Sequence, residues 1–439
     1  MASSASSDVA LPRRAFAIIF AVSAATAMGN TGLISVLPAI GRSIGIPDAM
    51  VSALFSLSAL MWAASSPAWA RASDRYGRKP LMMVGLAGFA VSMTLCGLVV
   101  SAGLMHLAPP MVIFGLFLLA RALFRLFGAA SNPATQAFVA ERTPLAGRTQ
   151  AMASLAGAFG LGTVVGPFLA PLFIFPIVGL AGPLFAFALI AVVMLVVVWR
   201  YLIETPVDPV MVRPRRPTVA GGPKPRPMWR DPRITPFLIY GFIVATCQTA
   251  QAQTLGFLII DKLGMSPTEA QYSIAIAMMF GAIAGLLAQW GLIRMFEMTP
   301  RQLLRWGVGV AAAGNVIMAM SPDYYGVVVG YAVSSLGFGF ARPGFTAGAS
   351  IAVDTDEQAR AAGAIAAVNG VNVILAPLFV LLYERLGPAP FLLNAVLMLG
   401  LLVYAFRNSQ LKSADPSPAT RDAATLASFE KRDEGGGAP

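Results

Sequence analysis

The sequence predicts an all-α membrane protein of twelve transmembrane helices, arranged as two six-helix halves. Of its 439 residues, 57% are apolar and 12% are charged, whereas soluble domains carry about 25% charged residues. Apolar windows long enough to cross a hydrocarbon core roughly 30 Å thick recur along nearly the whole chain. These windows are continuous and contain Gly and Pro, which favours helices over the short alternating strands of a barrel.

Twelve such windows follow one another, and each is expected to form one span. They lie near residues 15–40, 49–70, 81–104, 111–138, 149–175, 183–203, 234–260, 267–293, 302–320, 324–352, 361–383 and 388–406. The first six predict an N-terminal helical bundle over residues 15–203. The last six predict a C-terminal bundle over residues 234–407.

Three segments lie outside these bundles and are polar. Residues 1–14 form the N-terminus, residues 204–233 are rich in Pro, Lys and Arg, and residues 408–439 are polar and of mixed charge. The Pro-rich composition of 204–233 predicts an extended linker between the bundles. The last segment is expected to be disordered.

The distribution of basic residues predicts the orientation in the membrane. Arg42, Lys262 and Arg385 lie in one set of alternate loops, and the other set holds most of the remaining Lys and Arg. Because cytoplasmic loops retain Lys and Arg, both termini and the central linker are expected to be cytoplasmic. We therefore expect a multi-pass protein of a bacterial cytoplasmic (inner) membrane. Charge this dispersed forms no basic stripe, so nucleic-acid binding is not expected.

The two halves resemble each other weakly along the sequence. Gly160 corresponds to Gly370, and Gly166-Pro167 corresponds to Ala376-Pro377 at the same offset. Near the first span, Arg42-Ser43-Ile44-Gly45 is similar to Asp261-Lys262-Leu263-Gly264. Duplicated six-helix halves are a transporter architecture with the substrate site between the halves.

The loop between spans two and three carries the most distinct local motif, Asp74-Arg75-Tyr76-Gly77-Arg78-Lys79-Pro80. Asp74 close to a helix terminus, Gly77 free to adopt positive φ and Arg78 as a counter-ion could clamp helix ends together. An ordinary positive loop on the cytoplasmic side would also hold several cations. On physical grounds alone both interpretations stay open.

The same motif resembles the signature loop of the major facilitator superfamily. In that family the loop Asp and its second basic residue pair with an acidic residue at the cytoplasmic end of span four, where this chain has Glu141. The resemblance implies a gating latch formed by Asp74, Gly77, Arg78 and Glu141. The family pattern also has Gly and Leu where this chain has Ala70 and Ala72, which departs from the pattern at the helix approach.

Span five contains Gly162 and Gly166 four residues apart on one helix face, followed by Pro167. Small residues at this spacing allow close contact with a neighbouring helix, and the proline permits a bend. Packing alone would explain the pair. Followed directly by Pro, however, the motif resembles that of the drug:proton antiporter branch of the superfamily, which implies export.

Three arginines are predicted within spans, at Arg121, Arg125 and Arg342. A charge in mid-membrane costs about 2.5 kcal/mol or more, so each is a candidate for the substrate cavity. Snorkelling to the interface is the alternative, most plainly for Arg342. Arg121 matches the arginine that the antiporter branch carries in span four.

Neutral polar residues in spans one and seven are further cavity candidates, at Asn30, Gln248 and Gln251. Hydrogen bonding between helices is the alternative role for these side chains. No acidic residue falls in the middle of a predicted span, whereas a pump for cationic drugs is expected to place a carboxylate there. Arginine without a carboxylate favours an anionic substrate.

No catalytic, cofactor or metal site is expected, and the chain is not expected to be an enzyme. The sequence has no Walker loop, no HExxH and no GxSxG, and Cys96, Cys247 and His106 are too far apart to suggest ligand spacing.

We therefore expect a monomeric secondary transporter in the lipid bilayer that exports a small organic molecule by alternating access, with protons as the coupling ion. Multidrug or antibiotic efflux is the function typical of that branch. Export of an anionic metabolite such as a carboxylate siderophore is the alternative within transport. A membrane sensor that retained the fold is a third reading, although a sensor would ordinarily append a folded cytoplasmic domain.

Overall fold

The computed structural model of the protein describes residues 12–128, 130–143, 145–203, 228–354 and 357–412. Within these ranges the side chains of Asp74 and Arg125 lie outside the description. So do residues 1–11, most of the predicted linker (204–227) and the tail from residue 413 onward. The expectations for those segments stay predictions.

The described residues form sixteen α-helices and no named strand. In chain order the helices are α1 (Arg13–Ile44), α2 (Asp48–Tyr76), α3 (Arg78–Leu104), α4 (Pro110–Gly128), α5 (Ser131–Glu141), α6 (Leu145–Leu169), α7 (Gly182–Tyr201), α8 (Thr235–Leu263), α9 (Pro267–Leu286), α10 (Ile293–Met295), α11 (Pro300–Met320), α12 (Tyr324–Ile351), α13 (Gln358–Val371), α14 (Ala376–Leu386), α15 (Ala389–Arg407) and α16 (Ser409–Lys412). We refer to α1–α7 as the N-half and to α8–α15 as the C-half.

These helices account for all twelve predicted spans. Eleven helical segments among the described residues are long and apolar enough to cross a membrane, and α2 adds the shorter apolar stretch Asp48–Trp62. The predicted fold class, an all-α membrane protein, is therefore confirmed.

Three spans predicted as single helices are interrupted. Span four divides into α4 and α5, span eight into α9 and α10 around a π-helical segment at Leu287–Leu292, and span eleven into α13 and α14 around a 3₁₀ segment at Asn372–Leu375. Proline explains two of these breaks. Pro133, in the first turn of α5, and Pro377, in the first turn of α14, each lack the N–H that would continue the preceding helix.

Matching glycines end the first helix of each half. Gly45 ends α1 at φ 86° and Gly264 ends α8 at φ 58°, both in the left-handed region, where each N–H is bonded back to the last turn. Glycine adopts this conformation without steric penalty. These caps stand at equivalent positions of the predicted repeat and place Arg42 and Asp261 at the same end of the bundle.

The apolar core has parts within each half and a part shared by both. Buried clusters lie within the N-half around Phe138 and within the C-half around Phe345, and a larger cluster contains residues of both halves, including Leu37 and Leu255. The shared cluster lies toward the end of the bundle where α1 terminates. We call that end the opposite end, marked by Arg42, and the end where α1 begins the basic end, marked by Arg78.

Candidate functional site: a central cavity between the halves

A cavity of about 510 Å³ lies between the two halves at mid-depth of the bundle. Its wall combines aromatic side chains with neutral polar ones. The aromatic and amide members are Phe55, Trp62, Phe124, Phe159, Asn30, Asn132, Gln253 and Asn369. Hydroxyl groups of both halves complete it, including Thr26, Thr31 and Thr249. A wall of this composition suits a small organic molecule with an apolar body and a few polar groups.

Hydrogen bonds between the halves close this cavity toward the opposite end. Ser52 of α2 donates to the Gln253 side chain of α8, and Ser56 Oγ donates to the carbonyl of Val373 at 2.7 Å. Pro377, four residues after Val373, has no N–H to donate to the Val373 carbonyl. That carbonyl is therefore able to accept the bond from Ser56. Both acceptors line the cavity, so these bonds form its floor.

Arg121 lies behind the cavity wall and is 1% exposed. Its Nη2 donates to Asn30 Oδ1 at 2.9 Å, and its guanidinium lies 5.1 Å from the centre of the Phe124 ring. Nη1 is buried and has no hydrogen-bond partner among the described residues. Asn30 and Phe124, which contact Arg121, both line the cavity. One neutral acceptor and one aromatic ring therefore separate a positive charge from the central space.

Arg342 has a similar arrangement in the C-half. Its Nη2 donates to Asn369 Oδ1 at 3.2 Å, and Asn369 also lines the cavity. Arg342 itself is exposed to solvent, whereas Arg121 is buried. Each half thus brings an arginine to the cavity through an asparagine.

The remaining predicted cavity residues lie elsewhere. Gln248 is half-buried on α8 and does not line the cavity. Gln251 is 2% exposed inside the C-half, where it donates to Ser334 and accepts from Asn315 Nδ2 at 3.3 Å. The side chain of Arg125 lies outside the described residues. The structure thus brings Asn30 and Arg121 together and places Gln251 apart from them.

The interior of the C-half is a neutral polar network. Asn394 of α15 donates to Asn315 Oδ1 and to the carbonyl of Cys247, both at 3.3 Å. Together with Gln251 and Ser334 it joins α8, α11, α12 and α15. Such bonds between membrane helices stabilise packing by about 0.6 kcal/mol each. This is the interhelical role left open for Gln251 by the sequence.

At the opposite end, Arg42 joins the halves by ion pairs. Its guanidinium bonds Asp48 of α2 at 2.8 Å and both carboxylate oxygens of Asp261 of α8, one of them at 3.0 Å. Tyr383 donates to Asp261 at 2.5 Å. The Ala49 N–H donates to Glu384 of α14 at 2.9 Å. The sequence placed Arg42 in a loop and did not predict these contacts.

At the basic end, the predicted pair of Arg78 and Glu141 is present. Arg78 Nε lies 3.1 Å and 3.2 Å from the two Glu141 oxygens, and Nη1 donates to Ser73 Oγ at 2.7 Å. Gly77 takes φ 92° between α2 and α3, the positive φ that the motif predicts. All of these residues belong to the N-half. The gating role of the pair stays a prediction.

A second ionic cluster at the basic end lies within the C-half. Arg233 pairs with Asp231 at 2.8 Å, Glu357 at 2.6 Å and Asp354 at 3.3 Å. The hydrogen bond from Arg233 holds the pKa of Asp231 below its ordinary range. This cluster fixes the start of α8 against the start of α13.

The glycine pair of span five lies against α1. A Cβ at Gly162 would be 2.2 Å from the carbonyl oxygen of Ala24, and one at Gly166 would be 2.2 Å from that of Met28. Pro167 follows, buried, in the last turn of α6. The close helix approach that the spacing predicts is therefore present. The antiport role implied by the resemblance is not tested by packing.

Sequence reasoning missed most of the cavity wall. Phe55, Trp62 and Phe159 give no signal, because an aromatic residue facing lipid and one facing a cavity look alike in an apolar run. Asn369 carried a usable signal as an amide in an apolar helix. Arg42 and Asp261 carried another, since they stand at equivalent positions of the repeat.

No cluster of His, Cys, Asp or Glu within the described ranges could hold a metal ion.

A family model described as the Major Facilitator Superfamily matches residues 19–377 of this chain. The chain is 33% identical over 145 residues to the class D tetracycline resistance protein of Salmonella ordonez, covering 32% of this chain and 33% of that protein. It is 26% identical over 155 residues to the class H tetracycline resistance protein of Pasteurella multocida, covering 35% and 36%.

These matches span about a third of the length of the tetracycline resistance proteins. Among solved structures, a bacterial homologue of the human lysosomal transporter Spinster, inward-facing and unoccupied, aligns with a TM-score of 0.72 at 14% identity. That alignment covers 93% of this chain and 100% of the other. It shows a shared fold.

Proposed function

This chain belongs to the Major Facilitator Superfamily of membrane transporters, and we propose that it exports a small organic anion in exchange for protons. It is a transporter and not an enzyme, as the family establishes. The substrate, the direction of transport and the coupling ion are the proposed parts. They rest on the cavity and on the charges beside it.

The observation that carries the proposal is the uncompensated charge of Arg121. The guanidinium is buried, its one hydrogen-bonded partner is the neutral Asn30, and Nη1 has no partner among the described residues. A buried charge without a counter-charge is costly, and the cost is removed when an anion pairs with it. A cationic ligand in the same cavity would add to that cost.

The cavity wall supports an aromatic or otherwise apolar substrate body. Phe55, Trp62, Phe124 and Phe159 line it, and apolar walls with a few placed polar groups bind amphiphilic small molecules. The described lining residues include no charged side chain. Among the described side chains, the cations that bond lining residues are Arg121, behind Asn30, and Arg342, beside Asn369.

Export is supported by what the chain is similar to. Two relatives are tetracycline resistance proteins, and resistance is consistent with removal of a compound from the cell. The arrangement of the cavity supports alternating access, because its floor is sealed toward the opposite end by bonds between the halves. If the basic end is cytoplasmic, as the Lys and Arg distribution predicts, this form is closed to the outside.

Transport into inside-out membrane vesicles tests the proposal. Vesicles with an acidic lumen are given 2-naphthoate, 2-naphthamide or 2-naphthylmethylammonium, which share a ring system and differ in charge. We expect 2-naphthoate to accumulate, and collapse of the pH gradient to stop accumulation. Vesicles without the protein supply the background. Preferential uptake of the ammonium compound, or uptake indifferent to the pH gradient, would contradict the proposal.

A further inference from the structure

Asn30 and Asn369 occupy equivalent roles in the two halves, since each lines the cavity and each accepts a hydrogen bond from an arginine. We infer that these two asparagines set the charge of the transported molecule. Each asparagine oxygen is a neutral acceptor that bonds a guanidinium until an acidic group of the substrate displaces that oxygen. The inference rests on the proposed function and names the residues that give the site its selectivity.

The orientation of Asn30 is determined by its neighbours. Its Nδ2 donates to the Thr26 carbonyl at 3.0 Å, and its Oδ1 accepts from Arg121 at 2.9 Å. A carbonyl can only accept and a guanidinium can only donate, so a flipped amide would lose both bonds. Asn30 therefore presents a neutral oxygen to Arg121 and keeps the cation directed at the cavity wall.

A neutral oxygen at this position leaves the positive charge available to a ligand. A carboxylate adds a full negative charge and can bond the guanidinium with both of its oxygens, neither of which the amide oxygen offers, so a substrate carboxylate can displace the amide oxygen. An aspartate at position 30 would pair with Arg121 permanently and neutralise it. One atom in the side chain thus separates a site for anions from a site for neutral molecules.

Asn369 provides the same arrangement from the C-half. Arg342 Nη2 is 3.2 Å from Asn369 Oδ1, but Arg342 is exposed whereas Arg121 is 1% exposed. Solvent weakens the interaction between charges. We therefore expect the change at Asn369 to have the smaller effect on selectivity. A substrate that engages both asparagines would contact both halves.

Asn132 supplies a matched control, because it lines the same cavity without contacting an arginine in the described contacts. Its Oδ1 accepts from Gln136 Nε2 at 3.0 Å. Asn132→Asp introduces the same negative charge into the same cavity. Its effect measures general repulsion of an anion, separate from neutralisation of Arg121.

The experiment is equilibrium binding of 2-naphthoate, 2-naphthamide and 2-naphthylmethylammonium to the purified full chain. We expect Asn30→Asp to weaken 2-naphthoate binding at least tenfold and to strengthen ammonium binding, because ionic pairing removes the free charge. Asn369→Asp should weaken naphthoate binding about threefold at its more exposed position, and Asn132→Asp by no more than that. The amide probe should change least in all three.

Two further results keep the inference separable from the proposed function. Asn30→Ala removes the neutral acceptor without adding charge, so this variant should retain the preference for 2-naphthoate. It can be measured even if Asn30→Asp is poorly folded. Equal naphthoate losses in Asn30→Asp and Asn132→Asp, or loss of the preference in Asn30→Ala, would overturn the inference alone. A wild-type protein that binds the ammonium probe best would overturn the proposed function, and the inference with it.

Discussion

The two ends of the bundle are both rich in ion pairs, but the pairs connect different partners. At the opposite end, Arg42 of the N-half bonds Asp261 of the C-half. At the basic end, Arg78 bonds Glu141 within the N-half, and Arg233 bonds Glu357 within the C-half. Among the described residues, the Arg42–Asp261 pair joins the two halves, and the two pairs at the basic end each lie within one half.

The two kinds of ion pair therefore have different roles in a change of conformation. Bonds between halves must break when the opposite end opens, so they contribute to the equilibrium between conformations. Bonds within a half can persist while that half moves as a unit. The predicted latch of Asp74, Arg78 and Glu141 is of the second kind in its described contacts. Any gating role it has would act through the rigidity of the N-half.

The largest expected effect tests whether the N-half moves as a unit. Gly166→Ala would place a Cβ 2.2 Å from the Met28 carbonyl oxygen of α1, and such overpacking costs about 1–3 kcal/mol or more when backbone must shift. We expect Gly166→Ala to abolish transport of 2-naphthoate in vesicles at matched protein amount.

Gly160 is the matched control in the same helix, because no described atom outside its own helix lies within 4 Å of where its Cβ would stand. Gly160→Ala should transport near the wild-type rate. If Gly166→Ala transports as well as Gly160→Ala, then the close contact of α1 and α6 does not matter to transport. That result would contradict the claim that the N-half moves as a rigid unit.

A smaller effect is expected from breaking the bond between the halves. Arg42→Gln leaves Asp48 and Asp261 without their shared cation. Since the Arg42 and Asp261 side chains are 21% and 47% exposed, we expect a shift of about 1–2 kcal/mol toward opening of that end, roughly tenfold in population. The measurement is the labelling of a Thr26→Cys reporter in the cavity by an impermeant maleimide added from each side of oriented vesicles.

The reporter has little background, because the native Cys96 and Cys247 are buried. Arg42→Gln should raise labelling from the opposite end and lower it from the basic end. Arg78→Gln is the control, since it removes an ion pair inside one half and should leave the sidedness of labelling unchanged. Equal shifts in the two variants would show that the two ends do not differ in the way proposed.

The fold could be predicted from the sequence because membrane insertion imposes a strong and local pattern. Each span needs about 20 apolar residues, and the chain supplies twelve such windows. Helix interruptions were harder, since Pro133 and Pro377 are tolerated in membrane helices and only the packing around them decides whether a helix breaks. Pro38 lies inside α1 without ending it.

The candidate site could be predicted only in part. The cost of buried charge points to Arg121 from sequence alone, but its position behind Asn30 depends on how α1 meets α4. Gln251 and Gln253 are two residues apart on α8, yet Gln253 lines the cavity and Gln251 bonds inside the C-half. The rotation of α8 about its axis determines which of the two side chains faces the cavity, and this rotation cannot be predicted from the composition of the span.

The central claim is that Arg121 selects an anionic substrate, and the most direct test is the charge preference of Arg121 variants. Binding of 2-naphthoate and 2-naphthylmethylammonium is measured on purified wild type, Arg121→Lys and Arg121→Ala. Lysine keeps the charge but loses the planar fork, so we expect about tenfold weaker naphthoate binding, or ~1.4 kcal/mol, and near loss of binding in Arg121→Ala. Preference for the ammonium compound in the wild type, undiminished in Arg121→Ala, would contradict the account.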